Sequence, residues 1–280
     1  VAKPSRFAVV GHPISHSRSP EIHQAFARQF GLDIVYQRLD ASPQRFKVCV
    51  DDFFAGGGVG LNVTVPHKAS AYSLCQSVSA RAASAGVINT LWQERGVMHG
   101  DNTDGVGLLH DLQRVASEHG RSLTGARVLV LGAGGAARGA LVGLLDQQLS
   151  AIVIAARDAK QAEALGAQFS RHSNIAASGL DALHSSAFDI VINATSAGLS
   201  NSIPEMNDEW FDGCWLGYDL SYGASGTDHT AFLRHARSCG VPITLDGLGM
   251  LVEQAAEAFL LWHGLRPDAG AVLNQLRGLA

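Results

Sequence analysis

Residues 128–137 run from four apolar side chains straight into Gly132-Ala133-Gly134-Gly135-Ala136-Ala137, and few chain geometries accept that order. Val128 to Leu131 has the length and branching of a buried strand, and the stretch from Ala136 to Leu149 has the composition of a helix. The glycine cluster therefore sits at a strand-to-helix turn, where it matches the pattern GxGxxG/A. Gly132 permits the tight turn, Gly134 lets a pyrophosphate approach the backbone, and Ala137 allows helix and sheet to pack closely. The free N–H groups that open the helix favour phosphate, so the expected ligand is a dinucleotide.

The residue that reads the adenosine ribose is expected at the end of the next strand, in Ala155-Ala156-Arg157-Asp158. Arg157 suits the 2′-phosphate of NADP and could also stack on adenine. Asp158 suits the free hydroxyls of NAD, or caps the following helix. This reading leans to NADP and keeps NAD open.

Around the fingerprint the chain alternates strands and helices. The expected series is Val128 to Leu131, Ala136 to Leu149, Ile152 to Ala155, Ala159 to Phe169 and Ile190 to Ile192. A strand near Trp215 to Leu220, a helix near His229 to Cys239 and a strand near Val241 to Leu245 continue it. An earlier series has strands at Phe7 to Val10, Ile34 to Leu39, Gly60 to Thr64 and Val87 to Leu91. Its helices are expected after Ser19-Pro20 and near Pro43 to Phe54, Pro66 to Leu74 and Ser79 to Ala85. That alternation predicts a second α/β unit with a mostly parallel sheet. The junctions are placed near Gly105 and Asp246, giving domains at 1–105 and 106–245. Two closing helices, Leu251 to His263 and Asp268 to Leu279 within 246–280, are expected to return to the first domain.

Composition narrows the function. The chain has 280 residues, 46% apolar and 16% charged, a folded profile long enough for two cores. A formal charge of −4 and the lack of any basic run argue against nucleic acid or an anionic membrane surface as partner. No apolar run is long enough to span a bilayer. Cys49, Cys75, Cys214 and Cys239 form no CxxC pair, which fits a reducing cytoplasm better than a disulfide scaffold or a zinc site.

Asn62-Val63-Thr64-Val65-Pro66-His67-Lys68 places a cation where helix electrostatics disfavour one. Pro66 suits the first helical position, which puts Lys68 in the first turn, where an ammonium is opposed by about 0.3–1 kcal/mol. Such a lysine is either solvated or a proton-transfer group. Further polar clusters follow other expected strands. Gly11-His12-Pro13-Ile14-Ser15-His16-Ser17-Arg18-Ser19-Pro20 supplies hydroxyls and imidazoles, although Ser19 before a proline also reads as a helix cap. Pro13 and the loop setting argue against His12 and His16 as a metal pair. Asn89 with Thr90, and Asp101 to Asp104, add amides, hydroxyls and carboxylates at what could be plain turns.

Seven segments together make the chain resemble the shikimate dehydrogenase family nearly end to end. They are 15–20, 62–68, 86–90, 101–105, 132–138, 193–196 and 247–255. The resemblance implies an N-terminal α/β substrate domain and a Rossmann-type doubly wound NAD(P)-binding domain. It also implies a cytoplasmic enzyme of aromatic amino acid biosynthesis, monomeric or homodimeric, that interconverts 3-dehydroshikimate and shikimate. By position, Ser17, Ser19 and Tyr222 would hold the substrate carboxylate, while Thr64, Asn89, Asp104 and Gln254 would hold ring hydroxyls. Lys68 and Asp104 match the catalytic pair. Gly132, Ala133, Gly134, Gly135, Ala136, Arg157, Asp158, Thr195 and Gly247 would line the cofactor.

One departure bears on the cofactor. NADP-specific members usually read Asn-Arg-Thr with a further basic residue three positions on, whereas this chain has Ala156-Arg157-Asp158 and Gln161, with Lys160 as a substitute. NAD-dependent quinate/shikimate dehydrogenase is thus the alternative, and a non-catalytic NAD(P)- or shikimate-binding regulator is a further one. For the chemistry, Lys68 would carry the proton or stabilise the alkoxide. Asp104 would orient it. No arginine is evident for the carboxylate anchor.

Overall fold

The computed structural model of the chain describes residues 3–145, 147–172, 174–183, 187–195, 206–222 and 230–279. Its contacts divide into two units, Val1–Leu108 with Leu251–Ala280, and Leu109–Met250. The breaks fall a few residues inside helices, beyond the junctions expected at Gly105 and Asp246.

In the first unit, β1 (Ser5–Gly11) lies between β2 (Ile34–Asp40) and β3 (Gly58–Val63), parallel to both. Its successive side chains point to opposite faces, and both faces are buried. Ala8 and Val10 join Val50, Phe53, Leu61 and Ile88 on one side, while Phe7 and Val9 join Tyr36 and Trp262 on the other. Each large apolar side chain removed from water in this way contributes about 1.5–3 kcal/mol. α1 (Ser19–Gln29) and α2 (Phe46–Ala55) connect these strands.

The other half of this sheet holds the antiparallel pairs of the expected, mostly parallel arrangement. β5 (Thr90–Glu94) and β6 (Val97–Asp101) form a hairpin, and β5 pairs antiparallel with β3. The turn is two residues long, with Arg95 at φ 51° and Gly96 at φ 81°, the left-handed pair that matches strand twist in a tight hairpin. With β4 (Ser77–Val78) on β6, the sheet order is β2-β1-β3-β5-β6-β4 and the sheet is mixed. The strand expected at Val87 to Leu91 therefore starts three residues later.

Three local expectations also change. α3 (Lys68–Tyr72) is capped by His67, so Pro66 precedes the helix rather than opening it, and Lys68 is the first helical residue. Ser19 is the first residue of α1 and not its cap; Arg18 occupies that position without a side-chain capping bond. After α4 (Ala80–Ala85), capped by Ser79, the supposed turn at 100–105 leads directly into α5 (Asp104–Glu118). Gly105 and Gly107 disguise that start in the sequence. Gly107 is needed because a Cβ there would come within 2.7 Å of the Gln254 backbone N and Cβ.

In the second unit, β7 (Arg127–Leu131), α6 (Gly135–Leu145), β8 (Ala151–Ala156), α7 (Ala159–Gln168), β9 (Ile175–Gly179) and β10 (Ile190–Asn193) follow in order. β11 (Leu216–Asp219), α8 (Ala231–Ser238) and β12 (Ile243–Asp246) complete the sheet, and His229, where α8 was expected to begin, lies outside the described residues. The described strands are all parallel in the order β12-β11-β10-β7-β8-β9, so the direction of winding reverses between β7 and β10. Leu129, Leu131, Val191, Phe211 and Phe232 pack one face. Asp111 is fully buried here, and Arg114 pairs with it at 2.5 Å while the Tyr218 hydroxyl donates to it at 2.7 Å. α9 (Leu248–His263) and α10 (Ala269–Arg277) end the chain, and the larger part of α9 belongs to the first unit. Among the described residues no helix is long and apolar enough to cross a membrane.

Candidate active site

The hairpin brings the polar clusters of the first unit to one edge of its sheet. Asn62 lies opposite Thr90 across β3 and β5, and Thr90 lies opposite Asp101 across β5 and β6. Val10, near the end of β1, is in register with Val63, so the loop carrying Ser17 and Ser19 leaves from the same edge.

Lys68 and Asp104 meet there. Lys68 Nζ donates to Asp104 Oδ2 at 2.6 Å, and the two side chains are 15% and 6% exposed. The lysine's own carbonyl accepts from Ile88 N at 3.0 Å, which fastens the start of α3 beside Asn89. His67, stacked on Phe46, places Nε2 2.7 Å from the Ala41 carbonyl, so that nitrogen carries the hydrogen. Burial lowers the pKa of this imidazole, which keeps the ring neutral next to the ammonium.

Asn89 organises the carboxylate. Its Oδ1 accepts from Thr103 N at 2.9 Å and from Thr90 Oγ1 at 2.8 Å, which turns Nδ2 toward Asp104. Nδ2 then reaches Asp104 Oδ1 at 2.9 Å, Thr103 Oγ1 at 2.8 Å and Gln254 Oε1 at 3.2 Å. Asp104 N donates to Asn102 Oδ1, and the first turn of α5 favours the carboxylate's charge. Behind this layer Tyr36 donates to Asn62 Oδ1 at 2.6 Å, and burial pushes its hydroxyl well above the usual tyrosine range. Asn62 Nδ2 in turn donates to the Asn89 carbonyl.

Thr64, Asn89 and Gln254 thus stand on the same edge as the Lys68–Asp104 pair; Thr64 packs so closely on Gly11 that a Cβ there would come within 2.6 Å of its methyl. Ser17 and Ser19 are both buried, their hydroxyls 3.2 Å apart. An arginine does stand at this loop: Arg38 Nε donates to the Ser17 carbonyl at 2.7 Å. Its position in β2, 21 residues away, hid it from sequence reading. Asn62 and Tyr36 were also given no role in the site. The available signal was a buried amide between Leu61 and Val63 in an otherwise apolar strand.

The turn from Asp101 to Asp104 is held from below. Arg81 binds Asp101 through Nε at 2.8 Å and Nη2 at 2.7 Å, and its Nη1 reaches Glu257 of α9 at 2.9 Å. Ser79 also donates to Asp101.

In the second unit, the residues expected to meet a dinucleotide lie at the C-terminal ends of parallel strands, where open α/β sheets bind ligands. Gly132 follows β7, Arg157 follows β8, Thr195 follows β10 and Gly247 follows β12, while Tyr222, expected at the substrate carboxylate, follows β11. Gly132 has φ +107°, and a Cβ on it would sit 3.0 Å from the Ala194 carbonyl, so only glycine closes this turn beside β10. Ala133 is buried, and Gly134 and Gly135 have open space where a Cβ would stand, as a phosphate cradle at the start of α6 requires. Ala136 lies in the first turn of α6. Asp158 caps α7, accepting from Lys160 N at 3.0 Å, while Arg157 is exposed at the strand end. Thr195 donates to Asn193 Oδ1 at 2.7 Å; Ser196 lies outside the described residues. Gly247 is obligatory, because a Cβ would fall 2.2 Å from the Leu220 carbonyl.

Three family profiles match the chain: the shikimate dehydrogenase substrate binding domain over residues 9–91, shikimate/quinate 5-dehydrogenase over 114–206, and the shikimate 5′-dehydrogenase C-terminal domain over 247–277. A shikimate dehydrogenase (NADP(+)) of Alkalilimnicola ehrlichii is 47% identical over 272 residues, which is 97% of this chain and 98% of that protein. The chain belongs to the shikimate dehydrogenase family. Among solved structures, an Ael1 enzyme from Pseudomonas putida is 43% identical with a TM-score of 0.87, covering 97% of this chain and 98% of that one. Shikimate 5-dehydrogenase of Thermus thermophilus, solved with NADP(H) and shikimate, is 32% identical with a TM-score of 0.83, covering 99% of this chain and 100% of that one.

Proposed function

We propose that the chain is an NADP-dependent shikimate dehydrogenase that reversibly reduces 3-dehydroshikimate to shikimate. The observation that carries this reading is the Lys68–Asp104 pair at 2.6 Å, set in a shell of amides and hydroxyls, with Lys68 and Asn89 inside the substrate-domain match. The first unit binds the ring substrate and the second binds the cofactor. The glycine cradle at Gly132 to Gly135 fits a pyrophosphate, and Arg157 suits a 2′-phosphate. NADP, when bound, supplies or accepts the hydride.

The chain's own residues handle orientation and the proton. Ser17 and Ser19 offer hydroxyls to the carboxylate, and Arg38 fixes the Ser17 loop while adding a positive charge nearby. Thr64, Asn89, Asp104 and Gln254 hold the ring hydroxyls. During reduction, Lys68 gives its proton to the oxygen that becomes the new hydroxyl; during oxidation it takes that proton back. Asp104 keeps the ammonium aimed at this oxygen, and Asn89 keeps Asp104 in its rotamer.

The test is to follow reduced-cofactor absorbance with shikimate or quinate, each against NADP and NAD. Shikimate with NADP is expected to give the highest kcat/KM, and turnover with no combination would overturn the reading. Because Asp158 is committed to capping α7, the choice between cofactors rests on Arg157. Arg157→Ala is expected to raise the KM for NADP about 10–100-fold, the value of one charged hydrogen-bond pair, and to leave the KM for NAD nearly unchanged. An equal rise for both would remove Arg157 from 2′-phosphate recognition.

A further inference from the structure

At the far edge of the second unit's sheet, α8 presents His235 and Cys239 four residues apart at its C-terminal end. The 3₁₀ turn Asp208–Phe211 brings a carboxylate to them. Asp208 Oδ1 lies 3.1 Å from His235 Nε2, and Cys239 Sγ lies 3.6 Å from both of these atoms. One nitrogen, one sulfur and one oxygen thus surround a single point.

This is not the layout of an activated thiol. A relay would use one ring nitrogen for the thiol and the other for the carboxylate, whereas both partners here meet Nε2. The edges instead match a tetrahedral coordination polyhedron. With Zn–S of ~2.3 Å and Zn–N and Zn–O of ~2.0–2.1 Å, sulfur stands ~3.6 Å from the other donors, and nitrogen stands ~3.3 Å from oxygen.

We propose that Asp208, His235 and Cys239 form a binding site for a zinc-class divalent cation, with a water in the fourth position. The mixed S, N, O donor set selects a borderline cation over calcium or magnesium. The carboxylate of Asp208 supplies negative charge to the site. The negative end of the α8 dipole adds to it. Phe211 packs edge-on against the His235 ring at 5.6 Å and holds its orientation. Asp208 is 77% exposed, which leaves the oxygen side open for entry. Because α8 runs against the strands, this cluster precedes β11 and β12 and stands at the opposite edge from Gly132. The cation therefore clamps the 3₁₀ turn to the end of α8 and stabilises this unit without touching the cofactor edge.

The experiment strips the full chain with chelator and titrates it with Co²⁺. One equivalent is expected to give a thiolate-to-cobalt charge-transfer band with tetrahedral d–d bands, all lost when Zn²⁺ is added. Saturating Zn²⁺ is expected to raise Tm by about 3–8 °C. Cys239→Ser abolishes the charge-transfer band, and His235→Ala weakens binding. No band at micromolar cobalt, or an unchanged band in Cys239→Ser, overturns the proposal. Should either variant fail to fold, alkylation of wild-type Cys239 followed by peptide mass spectrometry decides. Zn²⁺ is expected to protect this thiol at least tenfold, and unaltered labelling refutes the site.

Discussion

Lys68→Ala is expected to lower kcat by about 10²–10⁴-fold, the usual contribution of a positioned proton-transfer group, while NADP affinity stays unchanged. The split follows from the fold, because Lys68 belongs to the first unit and the glycine cradle to the second. Removing the ammonium leaves Asp104, whose side chain is 6% exposed, without its 2.6 Å partner, so some loss of stability accompanies the loss of rate. Circular dichroism and NADP fluorescence titration separate these effects. Asp104→Asn tests the orienting role. It keeps an acceptor for Asn89 but removes the charge that aims Lys68, so a smaller fall in kcat is expected. A Lys68→Ala enzyme that folds, binds NADP and turns over within threefold of wild type would remove this lysine from the mechanism.

The second large effect is on stability against pH. His23 on α1 is fully enclosed, stacked on Tyr36 at 4.4 Å and beside Trp262 at 5.4 Å, and its Nε2 has no hydrogen-bond partner among the described residues. Burial, reinforced by His263, lowers its pKa from 6.5 to about 3. Above pH 6.5 the ring is neutral in both folded and unfolded chains, and it adds no pH dependence. Between pH 6.5 and 3 the unfolded chain binds a proton that the folded chain refuses, so stability falls as pH falls. From pH 7 to pH 4.5 this amounts to about 2–3 kcal/mol. His263 is shifted the same way and adds to the loss. His23→Phe keeps the ring stack and removes the titration. Urea unfolding of wild type and variant from pH 7 to 4.5 is expected to show a shallower decline for the variant, with its advantage growing toward acid. Parallel curves would show that His23 does not drive the decline.

Much of the second unit is legible from short-range signals. Val128 to Leu131, the glycine cluster and the following helix sit in consecutive residues, and each carries its own steric reason. The first unit is less so. A glycine pair at the start of α5 reads as a turn because glycine opposes helix locally, and only packing against Gln254 explains Gly107. The strand from Thr90 and its hairpin partner from Val97 give weak periodic signals across five residues each. Their pairing supplies the antiparallel part of a mostly parallel sheet.

The sequence by itself determined which chemical groups the chain brings: a lysine and an aspartate near helix starts, amides and hydroxyls after strands, and a glycine cradle for phosphate. Those follow from backbone sterics and residue type, which act over a few positions. Tertiary structure alone decided which groups face one another. It paired Lys68 with Asp104 across 36 residues and carried Arg38 to the Ser17 loop. It also set Asp208 beside His235 and Cys239 in a chain whose scattered cysteines gave no hint of a metal site. Such meetings depend on sheet order and register, which are fixed by burying whole faces and not by any local run of residues.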